Sequence, residues 1–291
     1  MVQHSIENDR LRVVVADYGA ELKEIQDKQG GRSVLWKGDP AHWARRAPLL
    51  FPCVGAHYQG QYRHLGQVYP MPRHGFARDM NFVCTYQSDH EVTHLLTDNT
   101  STRECYPFHF KLEVTHRLEG ESLVVIWRVE NTGDGEMPFT IGGHPAFALE
   151  EEDGKEGYVL DFPGQQELKY LLIDPIEGHP NPRDVHPMPL QDGCYSLSDA
   201  FFAKDARIFD GAQFDEVILR KKDGTPLVAL SAPGFPNFGI WSKPGAPFIC
   251  LEPWIGRTDD VGFTGELMEK PGVLVAAPGD VLRAAYTIVV Y

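Results

Sequence analysis

Two segments concentrate the groups that could move protons. Gly142-Gly143-His144-Pro145-Ala146-Phe147 and Leu251-Glu252-Pro253-Trp254 each set a titratable side chain beside a proline and an aromatic, inside an otherwise apolar stretch. One imidazole and one carboxylate in a walled pocket are the minimum equipment for general acid–base catalysis. His144 and Glu252 lie far apart in the chain, so only the tertiary fold can bring them together. The prolines restrict the local backbone, and Phe147 and Trp254 offer flat apolar surface. Two further segments supply polar partners. In Trp43-Ala44-Arg45-Arg46-Ala47-Pro48-Leu49-Leu50-Phe51-Pro52 a pair of arginines leads into an apolar run. An unpaired guanidinium is costly to bury, so these arginines must be ion-paired or face a cleft. Met71-Pro72-Arg73-His74-Gly75-Phe76-Ala77-Arg78-Asp79 adds His74, although a lone loop histidine is more often structural. Sugars stack C–H faces on aromatic rings and hydrogen-bond to arginine, histidine and carboxylate, so the set as a whole points to a carbohydrate cleft.

One motif points elsewhere. His90-Glu91-Val92-Thr93-His94 matches the H-E-x-x-H pattern of zinc peptidases. That chemistry needs a helix, which puts both histidines on one face with the glutamate beside a metal-bound water. Adjacent β-branched Val92 and Thr93 predict a strand, on which His90, Val92 and His94 point one way and Glu91 the other. The expectation is a solvated strand face. No G-x-S-x-G elbow, P-loop or G-x-G-x-x-G pattern occurs in the sequence. Cys250, two residues before Glu252, reads as a buried structural thiol.

The elements that must position these groups read as β almost throughout. Segments 11–15, 122–129, 217–219, 226–231 and 284–291 are short and mostly rich in β-branched residues, and turn signals such as Gly133-Asp134-Gly135 and Asp223-Gly224 separate many of them. With 28 Gly and 22 Pro there is little room for long helices; the best helical candidate is 198–204. The proline-rich stretch 178–193 reads as a long surface loop. No composition shift marks a boundary, so residues 1–291 are expected to form one all-β domain, a large sandwich of antiparallel sheets with few short helices.

Composition narrows the function classes. The net charge of −14 argues against nucleic acid and against an anionic membrane surface. Five cysteines, an odd number without a CxxC pair, read as reduced thiols. The first residues carry no apolar signal core, and no apolar run approaches a membrane span, so a cytoplasmic location is expected.

Taken together, these motifs resemble the aldose 1-epimerase (mutarotase) family, especially its LacX-like branch. The resemblance rests on Arg45 with Ala47-Pro48-Leu49-Leu50-Phe51-Pro52, on Pro72-Arg73-His74-Gly75-Phe76-Ala77-Arg78-Asp79, on His144-Pro145-Ala146-Phe147, on Gly239-Ile240-Trp241-Ser242-Lys243-Pro244-Gly245-Ala246-Pro247 and on Glu252-Pro253-Trp254, in order along most of the chain. It implies the galactose mutarotase-like supersandwich with a concave sugar-binding face. It further implies Glu252 as the base on the anomeric hydroxyl and His144 as the acid at the ring oxygen. His74 would be a second histidine near that oxygen, and Arg45 a ligand of sugar hydroxyls. Arg46 is adjacent, and which arginine faces the cleft is left open. Asp205 is a looser match to a substrate-orienting aspartate, and Trp241 lines the cleft or the core.

The implied reaction interconverts the α and β anomers of a hexose and needs no metal or other cofactor. The expected partner is a small sugar, and the expected assembly a monomer or homodimer. Three other readings compete. A hexose-6-phosphate mutarotase would draw its phosphate clamp from Arg45, Arg46, Arg73 and Arg78. A non-catalytic carbohydrate-binding or regulatory protein would keep the cleft without turnover. A hydrolase or lyase would need a second well-placed carboxylate.

Overall fold

In the computed structural model, which describes residues 2–291, the strand-rich pattern becomes two large antiparallel sheets and a smaller N-terminal one. The first large sheet runs, edge to edge, through Cys194–Ser196, Tyr158–Asp161, Glu216–Lys221, Pro226–Ser231, Val281–Val290, Ser122–Asn131, Phe110–Glu119, Glu91–Thr97 and Val83–Gln87. The second runs through Pro180–Pro189, Glu167–Ile173, Arg207–Asp210, Asn237–Trp241, Phe248–Ile255, Ile141–Gly143 and Leu49–Leu50, with Ala146–Ala148 also paired to Phe248–Ile255. Gln3–Glu7, Leu11–Ala16 and Leu22–Asp27 form the three-stranded N-terminal sheet.

Period-two alternation sets which face each strand buries. Phe110–Glu119 and Ser122–Asn131 alternate buried and more exposed residues along their length. A two-residue turn joins them, and Gly120 there takes a positive φ of 60°, as primed hairpin turns require. Their buried faces supply Leu123, Val125 and Trp127 to the same core as Ile249 and Leu251 of the second sheet. Each such side chain contributes about 1.5–3 kcal/mol by leaving water. Along Phe248–Ile255 the alternate residues Cys250, Glu252 and Trp254 therefore face away from this core.

The structure revises several expectations. The stretch 178–193 is not a loop, because Pro180–Pro189 forms a ten-residue strand paired with Glu167–Ile173. It is the outermost strand of its sheet, where an outward N–H needs no partner and proline is tolerated. A short helix, Thr100–Cys105, was not foreseen; Asn99 caps it by accepting from the Ser101 and Thr102 N–H groups. Only Asp199–Phe202 of the 198–204 candidate is helical, as one 3₁₀ turn behind Ser198. Glu91–Thr97 is a strand as predicted, but its Val92 and His94 are buried rather than solvated, because the N-terminal sheet packs beside them. Phe147 belongs to the main core and offers no surface to a ligand. All five cysteines are free thiols, with Cys53 and Cys250 buried. Among the described residues no helix is long and apolar enough to cross a membrane.

Candidate functional site

Strand register brings the two proton-transfer groups together. Gly142 pairs with Trp254 and Ala146 with Cys250, so the intervening His144 falls across from Glu252. Their side chains meet at 3.2 Å, His144 Nε2 to Glu252 Oε2. Both are buried, at 8% and 1% exposure, at the bottom of a cavity of about 500 Å³. The cavity also takes in Arg45, His74, Asp205, Trp241 and Trp254. That volume is in the range of ordinary small-molecule sites.

Two glycines let Trp254 lie flat against the floor. A Cβ on Gly239 would sit 2.3 Å from the indole, and one on Gly142 2.6 Å from it. Gly239→Ala is therefore expected to push Trp254 into the cavity and weaken sugar binding, with a stability loss of about 1–3 kcal/mol from overpacking. Urea unfolding and a sugar titration of this variant would check both effects.

Aromatic rings wall His144. Trp43 lies over it at 4.9 Å between ring centres, Trp241 meets it edge-on at 5.8 Å, and His74 does so at 5.7 Å. Trp43 was not singled out in the sequence, although it stands two residues before Arg45. Burial pushes His144 down to about 3, and the positive charges of Arg78 and Arg45 push the same way. Burial also raises Glu252 well above the usual carboxylate range, with help from the charge of Asp205. Both effects favour a neutral pair holding one proton between imidazole and carboxyl.

His74 has a defined tautomer. The Gly55 N–H donates to its Nδ1 at 3.1 Å, which leaves the hydrogen on Nε2. Burial holds the ring neutral, so His74 is a fixed N–H donor. Its backbone is left-handed at φ 67°, a conformation supported by the His74 N–H bonding to the Gly55 carbonyl.

The adjacent arginines separate cleanly. Arg45 lines the cavity and donates to Asp79 at 2.8 Å. Arg46 does not line it: its guanidinium donates to the Lys23 carbonyl and its N–H to Glu21 at 2.8 Å. Arg46 and the buried Glu21 thus anchor this segment to the N-terminal sheet. Arg73 and Arg78 join Arg45 at the cavity wall. Asp205 also lines it, with one carboxylate oxygen accepting from the Ala206 N–H at 2.8 Å.

Beneath the wall formed by Gly55, Ala56 and Thr258 lies a buried charged cluster. Asp259 accepts from Lys270, lies 3.3 Å from His57 and accepts from the Tyr58 N–H at 2.8 Å. Burial works against ionising His57, but Asp259 wins and lifts it to about 9. Because the folded value is raised, this contribution to stability is full below the unfolded value of about 6.5 and is lost as pH rises through about 9. Asp259→Ala would strand two buried cations and is expected to cost about 3–5 kcal/mol, read by urea unfolding at neutral pH.

Several buried polar atoms of the cavity make no hydrogen bond within the protein. Among the described residues His144 Nδ1, Glu252 Oε2, Trp254 Nε1 and Arg78 Nε are buried and form no hydrogen bond. Buried polar groups are normally satisfied, so this concentration marks where a polar ligand belongs.

Comparison with known proteins gives the family and the fold. The family model for aldose 1-epimerase matches residues 2–271. The plasmid-encoded protein LacX of Lactococcus lactis subsp. lactis is 30% identical over 98% of both chains. A galactose mutarotase related enzyme from Lactobacillus acidophilus superposes with a TM-score of 0.94 at 30% identity, covering 100% of this chain and 97% of that one. A galactose mutarotase-like protein from Lactobacillus casei gives 0.93 at 30% identity and covers both chains fully.

Proposed function

Since the chain belongs to the aldose 1-epimerase family, we propose that it interconverts the α and β anomers of a hexose by general acid–base ring opening and closure. The observation that carries this is the His144–Glu252 pair, 3.2 Å apart in a cavity where several buried polar atoms make no hydrogen bond within the protein. The step starts from the minor tautomer of the pair, with its one proton on His144 and Glu252 as carboxylate, and Glu252 then takes the proton of the anomeric hydroxyl. The O–H electrons form the C1 carbonyl as the bond from C1 to the ring oxygen breaks. The ring oxygen keeps that bond's electron pair and takes a proton from His144. Rotation about C1–C2 exposes the other carbonyl face, and reclosure returns both protons, so the pair is regenerated. His74, a neutral Nε2–H donor, holds the ring oxygen or its neighbouring hydroxyl. Arg45 and Asp205 bind hydroxyls, and Trp241 and Trp254 supply flat apolar surface for the sugar's C–H face.

Polarimetry tests this directly. Freshly dissolved α-glucose and α-galactose are expected to mutarotate faster with the protein than without it. Sugar binding without acceleration would leave a binding protein.

A second reading, a hexose 6-phosphate as substrate, draws on one observation. Arg45, Arg73 and Arg78 gather on one wall, where Arg45 and Arg78 share the single carboxylate of Asp79. Guanidinium groups in surplus over carboxylates suit a phosphate. Competition between glucose 6-phosphate and galactose separates the two readings.

A further inference from the structure

We propose that His4, Asp17, Cys84 and His94 form a tetrahedral site for a divalent transition-metal ion of the zinc class, remote from the sugar cleft, which fastens the N-terminal sheet to the edge of the nine-stranded sheet. The donor atoms of His4, Cys84 and His94 lie within 4.8 Å of one another. Asp17 Oδ1 lies beside the two histidines, 2.8 Å from His4 Nε2 and 3.3 Å from His94 Nε2, and would supply the fourth ligand. Ligands at ordinary zinc distances sit roughly 3.3–3.8 Å apart in a tetrahedron, so small side-chain rotations close these atoms around an ion. Two nitrogens, a thiolate and a carboxylate oxygen suit a borderline-soft ion.

The backbone aims the four groups at one point. Cys84 and His94 are directly opposed partners in the outermost hairpin, and the register shifts immediately after Cys84. Such irregularities re-aim side chains at a sheet edge. His4 stands opposite Val15, and Asp17 follows Val15 by two residues, so both leave the N-terminal sheet on one face.

Two features of the cluster suit a cation. His94 is fully buried, and among the described residues its Nδ1 has no partner while its Nε2 meets only Asp17 Oδ1, at 3.3 Å and outside hydrogen-bond geometry. His4 Nδ1 meets Gln87 Oε1 at 2.7 Å, while Gln87 Nε2 donates to the Ser5 carbonyl. That amide orientation puts a hydrogen on His4 Nδ1 and leaves Nε2 facing the Asp17 carboxylate at 2.8 Å, where either a proton or a metal ion can lie between them. A cation between the two satisfies both, and Gln87 is then the outer partner that orients a metal-bound histidine. Cys84 is partly exposed and gives the ion a way in.

His94 is the second histidine of the H-E-x-x-H match, but the first two residues of that motif take no part. His90 is exposed, with its Nδ1 on the Glu7 carbonyl. The site is therefore closed and structural, with no glutamate to activate water.

The test uses the full chain, stripped with a chelator and titrated with Co²⁺ and then Zn²⁺. One equivalent of Co²⁺ is expected to give a thiolate-to-cobalt charge-transfer band and tetrahedral d–d absorption, both removed by Zn²⁺. Saturating Zn²⁺ is expected to raise Tm. Cys84→Ala should abolish the charge-transfer band, and Gln87→Ala, at an exposed position, should weaken binding about 10–100-fold. The proposal fails if Co²⁺ gives no such band, if the band survives Cys84→Ala, or if saturating Zn²⁺ leaves Tm unchanged. A band lost in Cys250→Ser instead would also overturn it, since His144, Cys250 and Glu252 are the other cluster with metal-like spacing.

Discussion

Glu252→Gln is expected to lower kcat for anomer exchange about 10²–10⁴-fold, the usual range for loss of a positioned base, with little change in sugar affinity. The amide preserves size and can still accept a hydrogen bond, so the fully buried position should repack without a cavity. What it removes is the ability to take the anomeric proton. The effect should therefore appear in kcat and not in KM. Asp205, the other carboxylate lining the cavity, gives the outcome a clear alternative. If Glu252→Gln kept its activity and Asp205→Asn lost it, the base would be Asp205.

His144→Ala is expected to cost a similar factor of about 10²–10⁴, and wild type should show a characteristic pH profile. The working form of the pair holds one proton. A second proton is added only near the lowered value of His144, about 3. The single proton is lost only at the raised value of Glu252, which lies well above the usual carboxylate range. Activity should therefore be level through neutral pH, fall on the acid side only well below the ordinary histidine range, and fall again on the alkaline side. A wild-type rate that halved near pH 6.5, the ordinary histidine value, would mean that His144 titrates in water and that the aromatic wall does not desolvate it. Polarimetry across a pH series on wild type and His144→Ala decides between these results. The same series would show whether the charges of Arg45 and Arg78 matter, because Arg78→Gln should move the acid limb upward.

Much of this was legible from local patterns. β-Branched content over 122–129 and 226–231 and the turns between segments identified strands, and in Ser122–Asn131 the two-residue period of a buried face is plain. The pairing of His144 with Glu252 was legible as chemistry, since each stands beside a proline and an aromatic in an apolar stretch. What local pattern could not supply was the environment of each group. The same proline-rich text reads as a loop, yet Pro180–Pro189 is a strand because it lies at a sheet edge. His94 looked solvated, yet it is buried under a sheet formed by the first residues of the chain.

By itself the sequence pointed to the fold class and, through residue type, short-range spacing and family resemblance, to His144 and Glu252 as the candidate acid–base pair and to Arg45 and Trp241 as candidates for the cleft. Only the tertiary structure decided that His144 stands opposite Glu252, that Arg45 and not Arg46 reaches the cavity, and that His4 meets Cys84 and His94. Each of these depends on strand register between distant segments. A shift of one residue would turn every one of these side chains to the opposite face.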